Sequence, residues 1–199
     1  MVQIYENVFS PKVLEKVQEV VLGEELPWFS TNITHHSERD PRKYTWAHVA
    51  YSMQPNTHIG SFLELALFSA LDNVGIPVDK MYRIRLALTT PTGEHQVGDP
   101  HVDLEMSHMT GVLYLTPSDG NTIMYNEFYD PSRNRNMSDY YTKVLGSKLT
   151  VSEEITPKVN SMIIFPGFQY HSSNTPVNTG RRIVINFNFS LKEDLIVAR

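Results

Sequence analysis

Cysteine is absent from the 199 residues, which removes disulfides and thiolate metal sites and fits a reducing compartment. No apolar run approaches the roughly 18 residues of a membrane span. The opening segment, MVQIYENVFSPKVLEK, carries acid early, where a signal peptide would hold an unbroken apolar stretch. An excess of positive charge is also missing: the formal net charge of −5 argues against a surface that coats nucleic acid. No repeat, low-complexity tract or linker divides the chain. What remains is 41% hydrophobic, 20% charged and 11% aromatic, an ordinary globular composition at a length suited to one domain with its own core. A soluble, cytoplasmic single domain over residues 1–199 is expected.

Punctuation by proline, glycine and asparagine sets the element pattern. Ser10 and Pro11 read as N-cap and first helical residue, and Val13, Val17, Val20 and Val21 recur at helical spacing up to Gly23. Residues 26–34 and 44–53 are aromatic and β-branched enough for strands, with the polar stretch HHSERDPRK between them as an exposed loop. A second helix is predicted over 61–75, stopped by Gly75. From Met81 onward the texture changes to short strands: 82–90, 110–116, 121–126, 147–156, 160–166 and 181–190, each bounded by turn formers. Residues 1–80 thus read as helical and strand support, and 81–199 as a β-rich core with helices on the outside of one sheet. The irregular segment DPSRNRNMSDYYTKVLG is a candidate lid or binding loop, or equally the place of a short helix.

Chemistry concentrates in two places. In PHVDLE, His101 and Asp103 are two residues apart, so on extended backbone both side chains leave from one face and can grip one ion. A third donor, His171, comes from GFQYHSSNTPVNTGRR, where GFQY reads as a turn after the strand NSMIIFP. Two imidazoles and one carboxylate leave coordination positions open on an octahedral ion, which suits a non-haem Fe(II) that binds a cosubstrate and oxygen. Arg181 and Arg182 then enter a hydrophobic strand, and a buried guanidinium requires an anionic partner. A carboxylate held through two parallel hydrogen bonds meets that need.

From Met81 to the C-terminus the chain resembles the Fe(II)/2-oxoglutarate-dependent oxygenases, specifically their prolyl 4-hydroxylase-like branch, which has phage-encoded members. The matching segments are YRIRLALTT, PHVD, GVLYLT, SDGNT leading into IMYNE, ITPKVNSMIIFPGFQYH and PVNTGRRIVINFNF, in that order. The resemblance implies a mainly β fold with flanking helices, a double-stranded β-helix or jelly-roll, cupin-like barrel. It makes His101, Asp103 and His171 the iron ligands and catalytic centre. The register favours Arg182 over Arg181 for the far carboxylate of 2-oxoglutarate, with Tyr114 either on that carboxylate or in the core. The implied reaction is hydroxylation of a C–H bond of a peptidyl residue, prolyl favoured, or of a small molecule. Fe(II), 2-oxoglutarate and O2 are the implied cofactors, with ascorbate as an auxiliary reductant and succinate and CO2 as products. A phage-encoded member would work in its host's cytoplasm.

Two departures narrow the class. Halogenating relatives lack the carboxylate ligand, whereas Asp103 is present. Nucleic-acid demethylases carry a second arginine six positions after the first, where this chain has Phe187 and Asn188. Beside the oxygenase stand two other readings: a non-catalytic cupin-like metal- or ligand-binding module, and a redox-inert hydrolase or isomerase on the same scaffold. Of the remaining histidines, His35 and His36 read as solvated, and His48, His58, His95 and His108 show no paired spacing for a second metal; His95 and His108 flank the metal motif, where a place at the pocket mouth is the alternative to a structural one. Trp28 and Trp46 read as packing aromatics. Asp103 is expected at a rim, so that its removal spares the fold.

Overall fold

The computed structural model describes residues 1–32, 44–132 and 149–192. The loop expected in HHSERDPRK and most of the segment expected as a lid lie outside these residues. The described elements run β1 (Gln3–Glu6), α1 (Pro11–Leu22), β2 (Phe29–Asn32), β3 (Tyr44–Ser52), α2 (Gly60–Asn73), β4 (Val78–Thr89), β5 (Met109–Tyr114), β6 (Thr122–Phe128), β7 (Val151–Ile155), β8 (Ser161–Pro166), β9 (Gln169–Ser173) and β10 (Arg182–Leu191).

Seven strands form one antiparallel sheet in the order β1-β8-β5-β10-β4-β3-β2, and three form a second in the order β7-β6-β9. This is the expected mainly β, jelly-roll architecture with flanking helices. The N-terminal third is woven into it, because β1 pairs with β8, and β3 pairs with β4. Two strands escaped the sequence reading. β1 is too short to show a pattern, and β9 was taken as part of a turn, although the turn is confined to Gly167 and Phe168.

Strand β10 shows how the sequence divides its chemistry. Ile183, Ile185, Phe187 and Phe189 are buried on the face under the helices, against Val17 and Val21 of α1 and Leu63, Leu67 and Leu71 of α2. Each such side chain contributes about 1.5–3 kcal/mol by leaving water. Arg182, Val184, Asn186 and Asn188 alternate with them and face the second sheet. There Val112, Tyr114, Ile163, Phe165 and Val184 meet Met124 and Ile155 in a core between the sheets. Packing on one face thereby fixes the polar residues on the other.

Both helices end as the sequence suggests. Pro11 occupies the first turn of α1, while the Ser10 side chain makes no capping bond. Val17 and Val21 are buried, and Lys12–Glu15 and Lys16–Glu19 pair on the exposed side. After α2, Gly75 takes φ +73°, and the Ile76 N–H bonds back to the Leu71 carbonyl. None of the described helices is long and apolar enough to cross a membrane.

Candidate metal centre

His101, Asp103 and His171 come together, with one donor atom of each lying within 4.8 Å of the others. His171 sits in the middle of β9, whose Met124 partner lies on β6. His101 is brought to it by a short bridge in which each histidine backbone accepts the other's N–H, at 2.9 and 3.0 Å. The two imidazoles lie side by side, centroids 4.5 Å apart, with Phe165 edge-on to His171 at 4.9 Å.

The tautomers follow from the hydrogen bonds. Nδ1 of His101 faces the Asp99 carbonyl at 2.9 Å, and Nδ1 of His171 faces the Gln169 carbonyl at 3.3 Å. A carbonyl only accepts, so each Nδ1 carries the proton and each Nε2 presents a lone pair. Burial, with His171 beside it, pushes His101 down to about 4, and burial lowers His171 as well, so both rings are neutral near pH 7. Nε2 of His171 lies 3.7 Å from Oδ2 of Asp103. Two neutral imidazoles and a carboxylate, gathered within 4.8 Å of one another, are a donor set that suits a divalent ion.

Asp103 is a hub rather than a rim residue, and here the sequence expectation is corrected. Its side chain is 6% exposed. Oδ1 accepts from Arg83 Nη2 at 2.6 Å, while Oδ2 accepts from the side-chain amides of Asn186 and Asn188, each at 3.0 Å. Burial pushes the carboxyl up, but Arg83, the two histidines and Asn186 together hold it well below the usual carboxylate range. Asn186, Asn188 and Arg83 were missed from the sequence. The β10 alternation that placed Arg182 on the inner face carries the two asparagines there too.

At the other end of that face, Arg182 is 5% exposed. Nε donates to the Gly120 carbonyl at 2.9 Å and Nη2 to the Thr122 hydroxyl at 2.8 Å. No carboxylate pairs with it among the described residues. Arg181 is exposed on the opposite side. Tyr114 is fully buried, its hydroxyl 2.8 Å from that of Thr122 and its ring 5.8 Å from the Arg182 guanidinium. Thr122 was not anticipated. The approach to Arg182 is held by Asp119, whose carboxylate accepts from the backbone N–H groups of Val177, Asn178 and Thr179 and from the Asn178 and Thr179 side chains.

His48, His95 and His108 have structural partners, and His35 and His36 lie outside the described residues. His48 is buried between the Pro27 carbonyl and the Thr57 hydroxyl, and exposed His95 donates to the Thr175 carbonyl. His108 is buried rather than lining a mouth, with Nδ1 on the Met106 carbonyl and Phe168 edge-on. A Cβ on Gly167 would lie 2.1 Å from the His108 ring, so only glycine fits there.

No protein-family model matches the chain, and no curated protein sequence does. Solved structures do. An oxidoreductase of the 2-oxoglutarate-Fe(II) oxygenase family from Burkholderia pseudomallei superposes with a TM-score of 0.63 at 11% identity, over 95% of this chain and 84% of that one. A prolyl hydroxylase from Trichoplax adhaerens, in complex with a hypoxia-inducible factor peptide fragment, gives 0.62 at 12% identity over 100% and 87%. HygX from Streptomyces hygroscopicus, with nickel and 2-oxoglutarate bound, gives 0.58 at 14% identity over 96% and 83%. The chain has the fold of the 2-oxoglutarate/Fe(II) oxygenases. At such low identity the likeness establishes the fold, and the chemistry must be argued from the site.

Proposed function

We propose that this protein is an Fe(II)- and 2-oxoglutarate-dependent dioxygenase that hydroxylates a C–H bond of a peptidyl residue, prolyl favoured, or of a small molecule. The observation that carries the reading is Arg182: a buried guanidinium with no carboxylate partner among the described residues, on the same strand face as the residues that orient Asp103. A structural metal alone gives such a cation no purpose, whereas a dicarboxylate cosubstrate anchored at both ends does.

In this reading His101, Asp103 and His171 hold the metal through two Nε2 atoms and one carboxylate oxygen. When bound, Fe(II) and 2-oxoglutarate would supply, with O2 as the oxidant, oxidative decarboxylation to succinate and CO2, one oxygen atom entering succinate and the other the substrate C–H bond. The chain's own part is placement. Arg182 takes the far carboxylate, with Thr122 and Tyr114 offering hydroxyls beside it. Asn186 and Asn188 fix the Asp103 carboxylate, and the two backbone carbonyls fix the imidazole tautomers. Val112, Ile163 and Val184 keep the space between the sheets apolar.

The test is succinate formation from 2-oxoglutarate with added Fe(II) and no other substrate, followed by a mass-shift screen of peptides and metabolites for a gain of one oxygen. Iron-dependent succinate supports the reading. Its absence under all conditions favours the non-catalytic binding module, and activity with zinc but without oxygen favours a redox-inert enzyme.

A further inference from the structure

We propose that Arg85 is a substrate-recognition residue, and that the molecule oxidised at the metal centre carries a carboxylate which its guanidinium grips. The inference rests on the oxygenase reading above. Arg85 lies on β4 directly opposite Asn186 of β10, while Ala87 faces Val184 and Thr89 faces Arg182. Cross-strand partners in an antiparallel pair project to the same side. Asn186 reaches Asp103 from that side, so Arg85 shares the face of the metal cluster. It stands two residues from Arg83, which reaches Asp103, and four from Thr89, which faces Arg182, so the register sets it toward the metal-cluster end of the face.

Arg83, two residues earlier on the same face, is committed to Asp103 and Asn186. Arg85 is half-buried and has no hydrogen-bond or ion-pair partner among the described residues. Burial, and then the charge of Arg83, disfavour its charged form, so the fold holds a cation there at a cost. Asp103 is already held by Arg83, and Arg182 lies at the other end of the face, so Arg85 is the guanidinium left for a substrate. A carboxylate matches its fork through two parallel hydrogen bonds. Val49 of β3, opposite Arg85 on its other edge, is 40% exposed and offers apolar surface beside the guanidinium.

The experiment uses the full chain loaded with zinc and 2-oxoglutarate, so that Arg182 is occupied, and a probe acid that binds the metal instead is recognised because its preference survives Arg85→Gln. Phenylacetate and N-acetylproline are titrated beside their primary amides, with binding followed by NMR. A blocked peptide with one internal glutamate is included to separate a chain-borne carboxylate from a free acid. Each good charge-assisted contact is worth about tenfold or more in affinity. The expected result is that at least one acid binds roughly tenfold more tightly than its amide, that Arg85→Gln abolishes the difference, and that Arg85→Lys restores part of it. Arg85→Gln should leave 2-oxoglutarate affinity unchanged.

Three results overturn the proposal: no acid preference in the wild type, a preference that survives Arg85→Gln, or tighter Arg85-dependent binding of phenyl phosphate than of phenylacetate. A tenfold or greater loss of 2-oxoglutarate affinity in Arg85→Gln also overturns it, by placing Arg85 in the cosubstrate site. If Arg85→Gln does not fold, Arg85→Lys takes its place, and an acid preference undiminished in that variant overturns the proposal. Failure of the zinc-loaded wild type to bind 2-oxoglutarate sinks the oxygenase reading instead, and is seen in a separate titration.

Discussion

His101 and His171 are 70 positions apart in the chain, yet each backbone accepts the other's N–H, at 2.9 and 3.0 Å. Their side chains leave adjacent points of one small ladder. The metal centre is therefore set by backbone pairing as well as by side-chain packing, which pre-arranges two of three donors before any ion binds.

Replacing either histidine by alanine should weaken divalent-ion affinity by more than about tenfold and abolish iron-dependent succinate formation. The bridge itself uses backbone atoms, so both variants should keep the melting temperature of the ion-free wild type within a few degrees. Calorimetric titration with zinc and a thermal melt check the two halves separately. Unchanged zinc affinity in either variant would remove that residue from the centre.

Arg182→Ala should raise the concentration of 2-oxoglutarate needed for half-maximal succinate formation by roughly a hundredfold, because it deletes the charged contact proposed for the far carboxylate in a buried site. Arg181→Ala should leave it unchanged, since Arg181 is exposed on the other side of the strand. Tyr114→Phe should sit between them, with a severalfold rise, because the hydroxyl meets Thr122 rather than standing alone. Steady-state kinetics in 2-oxoglutarate order the three. Equal losses at Arg181 and Arg182 would refute the alternation on which the assignment depends.

That alternation was legible in the sequence, and so were the helices, most strands and the donor triad. The signals were strong because each was local: two-residue spacing in PHVD, period-two alternation of apolar and polar side chains in INFNFS, helical valines before Gly23. What escaped was long-range. Nothing in the spacing of Arg83 or of Asn186 and Asn188 announces that all three converge on Asp103, since the convergence depends on β4 and β10 being neighbours. For the same reason Asp103 read as a rim residue when it anchors a buried polar network. β9 was lost because two turn residues, Gly167 and Phe168, overshadowed a five-residue strand.

Asp103→Ala should consequently destabilise the ion-free fold instead of sparing it. The change strips the acceptor from Arg83, Asn186 and Asn188 at once, and breaking a buried pair costs about 3–5 kcal/mol. Arg83 keeps 22% of its side chain in contact with solvent, which lowers the expectation to about 2–4 kcal/mol. Asp103→Asn, which keeps an acceptor oxygen, should lose less. Urea unfolding of the ion-free proteins measures both, and wild-type stability in Asp103→Ala would mean that the network contributes nothing beyond holding the ligand.

Asp119 offers a pH test that does not touch the metal donors. Its carboxylate gathers five donors from Val177, Asn178 and Thr179, and the Thr179 hydroxyl, followed by the Asn178 backbone, holds it well below the usual carboxylate value. A carboxyl depressed in the folded state contributes stability that is complete above its unfolded value of about 3.9 and is lost as pH falls through the folded value. The gap in melting temperature between wild type and Asp119→Asn should therefore be constant from about pH 7 to pH 5 and shrink only below about pH 4. Because these donors lie on the segment leading into Arg182, the variant should also weaken 2-oxoglutarate binding at neutral pH, by roughly three- to tenfold. A stability loss with normal 2-oxoglutarate affinity would show that the turn holds itself together without positioning Arg182.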